Sequence, residues 1–250
     1  MNVLIVFAKA PVEGMVKTRL EKDTPLNQSE VCQLYRSFLD DTLKTASESS
    51  ADKIIVNYSP AEKESLMRDI AEKIILAERL IFKPQTAGTF HERVGEGFQM
   101  AFDVGAKASI MIGSDSPTMR AKVINEAFDT LNGRGGAVLG PSGEGGIYLI
   151  GLKGGYLPDF QKIFESAGEI SNFAMELEKD GVPFSLLEEA LDVDVASDLV
   201  SLVALINAMK RAHGKGDADF PNCTRQTLEW LGLRISRKDG TRDKALVRGE

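Results

Sequence analysis

The apolar positions of this chain fall into short unbroken runs, separated by longer stretches with helical spacing. Val3-Leu4-Ile5-Val6-Phe7-Ala8, residues 53–58, Leu80-Ile81-Phe82, Ser109-Ile110-Met111-Ile112, Ala137-Val138-Leu139-Gly140-Pro141 and Ile147-Tyr148-Leu149-Ile150-Gly151-Leu152 are of the first kind. Runs without polar alternation suit strands buried on both faces, as parallel strands between helix layers are. Asn27-Gln28-Ser29 opens a helix to about residue 47, with Leu34, Phe38, Leu39, Thr42 and Leu43 as its apolar stripe. Tyr35 and Phe38 are read as core. Further helices are predicted over 61–73, 90–104, 119–131, 158–180 with a break at Gly168, and 196–211, with a late strand over 184–187. Strands alternating with helices over residues 1–211 make an α/β layered fold around a mainly parallel sheet.

The run over 109–112 is the one the rest is organised around. It stops on Gly113-Ser114-Asp115-Ser116-Pro117, small residues around one carboxylate, and the proline ends the strand. In open α/β sheets the crevice beyond the carboxyl ends of the strands holds the ligand, so Asp115 is placed to hold a metal ion or a substrate group. The loop leaving the first strand, residues 9–20, carries Pro11, Gly14 and three cations, Lys9, Lys17 and Arg19. Turn amides and fixed cations form an anion-binding concavity, and a planar guanidinium grips phosphate oxygens in pairs. The plainer reading of the same loop is a basic surface turn with solvated lysines.

Asp192 and Asp194 are two apart, so an extended segment turns both to one side. One of them could share a cation with Asp115, or cap the helix that follows. The three glycines of Ser142-Gly143-Glu144-Gly145-Gly146 suit a backbone approached closely by something bulky, or an ordinary turn. His91 has no second histidine nearby and reads as a helix-start or surface residue.

Bulk properties set the bounds. With 250 residues, 43% hydrophobic and 27% charged, the chain has room for one large domain. No apolar run approaches the about 18 residues of a membrane span. The first run is too short for a secretory core and meets Lys9 at once. Cys32 and Cys223 offer neither a disulfide framework nor metal spacing, so a cytoplasmic location is expected. The net charge is −7. It is uneven, because ten Lys/Arg stand against six Asp/Glu from Lys210 onwards. An acidic body argues against a broad nucleic-acid surface. After the domain over 1–211, residues 212–250 read as a Gly- and charge-rich linker, a short docking helix over 224–233 and a charged, loose tail. The docking helix is expected to bury Leu228, Trp230 or Leu231.

Phe7-Ala8-Lys9-Ala10-Pro11 with Gly14 and Lys17-Thr18-Arg19-Leu20, then Gly113-Ser114-Asp115-Ser116-Pro117, Gly140-Pro141, Gly145-Gly146, residues 148–152 and Asp192-Val193-Asp194 together resemble the DUF2064 family. That family belongs to the GT-A, or nucleotide-diphospho-sugar transferase, superfamily. A more distant similarity is to the guanylyltransferase that activates phospholactate and to sugar-nucleotide pyrophosphorylases. The resemblance implies a three-layer, Rossmann-like GT-A fold with a mixed, mainly parallel central sheet. It also implies a metal-dependent nucleotide-sugar transferase, with a small-molecule acceptor it does not identify. The alternatives are a nucleotidyltransferase that joins a nucleoside monophosphate to a small acceptor and releases pyrophosphate, and a nucleotide-binding module without turnover.

By that resemblance Lys9, Lys17 and Arg19 would hold the nucleotide phosphates and Gly14 would let the loop approach them, with Ala8, Gly113 and Ser114 beside the nucleotide. Asp115 would be the first ligand of Mg²⁺ or Mn²⁺ and Asp194 the second, and Asp115, Lys17 and Arg19 would form the catalytic set. Glu92 and Arg93 match a Glu-Arg pair of the family in a supporting role. Glu144, Gly145 and Gly146 would lie on the acceptor side. The chain departs from the family's usual Glu-Asp-Gly-Gly at Gly143-Glu144, from Trp-Ser-Thr at Glu165-Ser166-Ala167, from Asp-Leu-Gly at Thr89-Phe90-His91 and from Thr-Pro-Glu at Val195-Ala196-Ser197.

Overall fold

The runs of Val, Ile and Leu become the strands of one sheet in a computed structural model that describes residues 1–213, 220–237 and 243–249. Strand β1 (Asn2–Lys9) is flanked by β2 (Lys53–Ser59) and β4 (Ala108–Ile112), both parallel to it, and β3 (Leu80–Pro84) runs parallel to β2. On the other side β6 (Ile147–Lys153) pairs antiparallel with β4 and with β5 (Ala137–Pro141), and β7 (Phe184–Leu186) runs parallel to β5. The order is β3-β2-β1-β4-β6-β5-β7, a mixed and mainly parallel sheet. Val3 to Val6 of β1 are fully inaccessible to solvent and all of β4 is buried. That burial is why neither strand alternates polar with apolar residues.

Covering helices follow the 3.6-residue spacing. Helices α4 (Phe90–Asp103), α6 (Phe160–Phe164) and α7 (Glu169–Lys179) place Val94, Phe98, Phe160, Ile163, Phe173 and Leu177 on the sheet face formed by Val3, Ile5, Met111, Leu139 and Ile150. Helix α3 (Glu64–Ala71) follows β2 in the chain, and helix α5 (Ala121–Asn132) covers the opposite face of the sheet, where Leu131 lies against Gly151. Three layers result.

Packing separates the chain into two compact units. One holds the sheet and takes residues 1–10, 43–114 and 119–190; the other takes 11–42, 115–118 and 191–250. These lines differ from the expected break near residue 212. The long helix α2 (Gln28–Glu48) contributes to both.

The second unit has its own core. Leu20 of α1 (Thr18–Asp23), Leu34 and Phe38 of α2, Leu199, Leu202 and Ile206 of α8 (Ala196–His213), Leu228 of α9 (Asn222–Trp230) and Leu246 form one apolar cluster. Asp41 is buried and accepts hydrogen bonds from the backbone N–H groups of Cys223 (3.0 Å) and Thr224 (2.7 Å), which satisfies the free amides at the start of α9. Burial pushes the Asp41 carboxyl up, and these amide hydrogen bonds act the other way.

In the C-terminal region one expectation is met and another needs correction. Leu228 and Leu231 are buried, but Trp230 is 62% exposed. Residues 234–250 are not simply a loose tail: β8 (Leu233–Arg237) and β9 (Lys244–Arg248) pair antiparallel. Leu233 and Leu246 join the core, and Arg248 binds the carbonyl of Pro25 and the carboxylate of Glu30. The pattern hid this because five-residue strands among Arg and Lys bury only alternate positions. Most of the expected linker, residues 214–219, lies outside the described residues. No helix among the described residues is long and apolar enough to cross a membrane.

Candidate functional site

Helix α1 begins after a tight path. Gly14 has φ 74°, the Met15 N–H donates to the Val12 carbonyl at 3.0 Å, and Lys17, ahead of Thr18, takes the left-handed conformation with φ 47° and ψ 37°. A non-glycine residue there costs about 1–3 kcal/mol and persists only where its surroundings over-determine it. Here both neighbours hold it, since Val16 and Leu20 are buried and the Lys17 side chain is only 6% exposed.

The buried ammonium is the centre of the site. Lys17 Nζ lies 2.9 Å from Asp115 Oδ1 and 2.7 Å from Asp194 Oδ1, so carboxylates 79 positions apart in sequence meet on one cation. A main-chain tie brings them together, because the Val193 N–H donates to the Asp115 carbonyl at 2.9 Å. The Asp198 carboxylate fixes the other side by accepting from the N–H groups of Asp194 and Val195, both at 2.9 Å. This places the helix-capping role, considered for Asp192 or Asp194, on Asp198 at the start of α8 instead. Ser116 donates to Asp192 Oδ1 at 3.3 Å. Both aspartates of the Asp-Val-Asp segment therefore engage the 115–116 region or its cation, as two-residue spacing predicts.

Charge balance follows from burial. Desolvation works against the Lys17 ammonium, but the charges and hydrogen bonds of Asp115 and Asp194 outweigh it and the net shift is upward. Asp192 is pushed up to about 6, first by burial and then by the charge of Asp115, with Lys17 acting in the opposite sense. Three carboxylates thus gather around the Lys17 ammonium.

A stability prediction follows for Asp192. A carboxyl whose folded pKa is raised contributes stability that is fully present below its unfolded value near 3.8 and is lost as pH rises through about 6. Above that range the ionised group is a penalty. Asp192→Asn should therefore be more stable than the wild type at pH 8 in chelator, by about 1–2 kcal/mol after allowing for partial exposure, and equal to it near pH 4. Urea unfolding at the two pH values measures this; equal midpoints at pH 8 would contradict it.

Other expected site residues lie elsewhere in the chain. Arg19 is exposed on the first turn of α1. In the sheet unit, Lys9 is exposed at the end of β1, Ala8 is buried beside it, and Gly113 and Ser114 follow β4. Glu92 is occupied locally: with Thr89 it forms a capping box at the start of α4. Arg93 donates to Gln85 Oε1 at 3.2 Å, and Gln85 Nε2 donates to the carbonyls of Ala8 and Asn57 at 3.3 and 2.9 Å. Arg93 thus braces the end of β1 through Gln85, a residue that carries no motif and went unnoticed. His91, at the helix start as expected, has its Nε2 3.0 Å from Thr89 Oγ1. The 142–146 loop closes through Ser142 N–H to the Gly146 carbonyl at 2.9 Å, with Glu144 exposed and left-handed at φ 58°. A Cβ on Gly146 would lie 2.7 Å from Ser142 Oγ, so a larger residue there would have to turn that hydroxyl aside.

The donor set fits a hard divalent cation in one respect. Asp115 and Asp194 present oxygens to a common point that already holds positive charge, and Mg²⁺ or Mn²⁺ takes carboxylate oxygens while keeping waters or phosphate oxygens in its other positions. Among the described residues no group of three or more His, Cys, Asp or Glu side chains is arranged to hold a metal. A dedicated all-protein cage is not what these residues build.

Comparison with known proteins gives the family and the fold. The model of a family described as "Uncharacterized protein conserved in bacteria (DUF2064)" matches residues 42–167. No curated protein matches. Among solved structures, a protein from Desulfovibrio desulfuricans G20, provisionally described as a nucleotide-diphospho-sugar transferase, superposes with a TM-score of 0.76 at 24% identity, over 90% of this chain and 97% of its own. The 4-diphosphocytidyl-2C-methyl-D-erythritol synthase of Anaerococcus prevotii DSM 20548 gives 0.55 at 13% identity, over 83% and 96%. A CMP:2-keto-3-deoxy-manno-octonic acid synthetase in complex with CTP gives 0.52 at 11% identity, over 83% and 98%. At these identities the likeness is one of fold.

Proposed function

The chain belongs to the DUF2064 family, and from that premise and the cluster around Lys17 we propose that it is a metal-dependent nucleotide-sugar transferase. It would move a glycosyl group from a nucleoside diphosphate to a small acceptor. The observation that carries this reading is the convergence of Asp115 and Asp194 on one cation. Breaking a bond to a phosphate builds negative charge on the departing oxygens, and cations fixed nearby lower that barrier electrostatically. Asp115 and Asp194 would hold Mg²⁺ or Mn²⁺, which when bound supplies Lewis-acid stabilisation of the leaving diphosphate. Arg19, exposed on α1, has the planar geometry to take phosphate oxygens in pairs. Lys9 adds a flexible point charge. Glu144 and the glycines beside it, Gly145 and Gly146, would form the acceptor side, where an exposed left-handed carboxylate can meet a hydroxyl group.

The second reading, nucleotidyl transfer, is supported by the likeness to solved folds whose names include a cytidylyl product and a bound CTP. Three cations in the loop over 9–20 also suit a triphosphate. Incubation with nucleotide sugars and with nucleoside triphosphates, in Mn²⁺ and with a panel of small acceptors, separates the two by product. A released nucleoside diphosphate supports glycosyl transfer and released pyrophosphate supports nucleotidyl transfer. Absence of any nucleotide binding would remove both.

A further inference from the structure

Lys17 is expected, by resemblance, to hold phosphates, yet its ammonium is spent elsewhere. It is buried to 6% exposure between the Oδ1 atoms of Asp115 and Asp194, whose side chains are 33% and 53% exposed. A cation bound to the same two oxygens would sit within a few ångströms of the ammonium. A divalent cation and an ammonium that close repel strongly even near a protein surface. The Oδ1 pair therefore has one place for positive charge, and Lys17 fills it.

The side chain is suited to leave. Lysine is a point charge on a flexible four-carbon stem with rotatable donors, and it binds phosphate as readily as carboxylate. Its departure alone would leave Asp115, Asp192 and Asp194 facing one another without its ammonium, which raises their mutual repulsion. Departure onto an arriving anion, with a divalent cation taking its place, keeps the charge balanced throughout.

We propose that Lys17 is a resident counter-ion that bars free divalent metal from the Asp115–Asp194 pair and gives up that position only when an anion receives its ammonium. This rests on the reading of the pair as the metal-holding carboxylates. It makes metal entry depend on nucleotide arrival, so the protein without nucleotide does not collect metal.

Mn²⁺ alone is the probe, titrated without nucleotide and followed by the electron paramagnetic resonance signal of the free ion. Lys17→Met should bind Mn²⁺ about tenfold or more tightly than the wild type, since the competing charge is gone. Adding Asp194→Asn to that variant should abolish the gain. Should Lys17→Met fail to fold, Lys17→Gly replaces it, because glycine accepts φ 47° without strain. Affinity equal to or below the wild type in the folded variant would overturn the proposal and make Lys17 a support beneath carboxylates that bind metal on their outer oxygens. Calorimetry of the wild type with UDP-glucose or CTP in Mn²⁺ tests the transferase reading separately; silence there would sink that reading while leaving the metal-only comparison to decide the role of Lys17.

Discussion

Lys17→Met is expected to lower the free energy of unfolding by about 2 kcal/mol at neutral pH in chelator, less than the cost of breaking a fully buried ion pair because the Asp115 and Asp194 side chains left behind are 33% and 53% exposed. Methionine keeps most of the volume and the unbranched shape, so the loss would be electrostatic rather than a cavity effect. The left-handed backbone at φ 47° is equally strained with either side chain. What changes is that Asp115, Asp192 and Asp194 lose the Lys17 ammonium, while Val193 and Asp198 still tether the segment that carries them. Urea unfolding of wild type, Lys17→Met, Asp194→Asn and the double variant forms a cycle that isolates the pair. Asp194→Asn on top of Lys17→Met should recover part of the loss, because one of the stranded carboxylates is removed with it. A change below about 1 kcal/mol for Lys17→Met would show that water screens the pair as it does at a surface. Against a total stability of about 5–15 kcal/mol, the expected loss is large enough to appear as a lower yield of folded protein.

The fold was legible where burial is two-sided. Val3-Leu4-Ile5-Val6 and Ile110-Met111-Ile112 lie in the middle of the sheet, and a position between two helix layers is what suits three or four apolar residues in succession. The hairpin of β8 and β9 was not legible, since its strands expose most side chains and reveal burial only at Leu233 and Leu246. In the site, Asp115 stood out through its place after a buried strand; two-residue spacing pointed to Asp192 and Asp194 alike, and only the family resemblance chose Asp194. The role of Lys17 in the cluster could not be read. A lysine in a loop rich in Pro and Gly has the same letters whether it is solvated or buried, and burial here depends on Val16 and Leu20 turning inward on either side of it. Asp198 and Gln85 were missed for a related reason: each acts on backbone groups of a distant or neighbouring segment, and such bonds leave no periodicity. Asp198 did carry one faint signal, an acidic residue at the start of a predicted helix. The division of the chain into two units was hidden as well, because the second is assembled from three separated stretches of sequence.

Asp115→Asn should separate function from folding most sharply. Asparagine retains the shape and one carbonyl-like oxygen, so Lys17 keeps an acceptor at this position as well as its ion pair with Asp194. The site then holds two carboxylates to one ammonium, a better balance than three, and the penalty on Asp192 to which Asp115 contributes is relieved. Stability should therefore be unchanged or slightly higher, with a midpoint shifted by no more than about 1 kcal/mol in either direction. Binding that depends on metal should fail, because a neutral amide oxygen is a far weaker partner for a hard divalent cation than a carboxylate. Transfer should fall by about a thousandfold or more, since both the cation and the charge it would neutralise at the leaving phosphate are then out of place. Calorimetry with UDP-glucose and with CTP, each with and without Mn²⁺, reads the first effect without any need to know the acceptor. A folded Asp115→Asn protein that still gained nucleotide affinity from Mn²⁺ would take Asp115 out of the cation site. An Asp115→Asn protein that lost binding equally with and without Mn²⁺ would point instead to a direct contact between this carboxylate and the nucleotide.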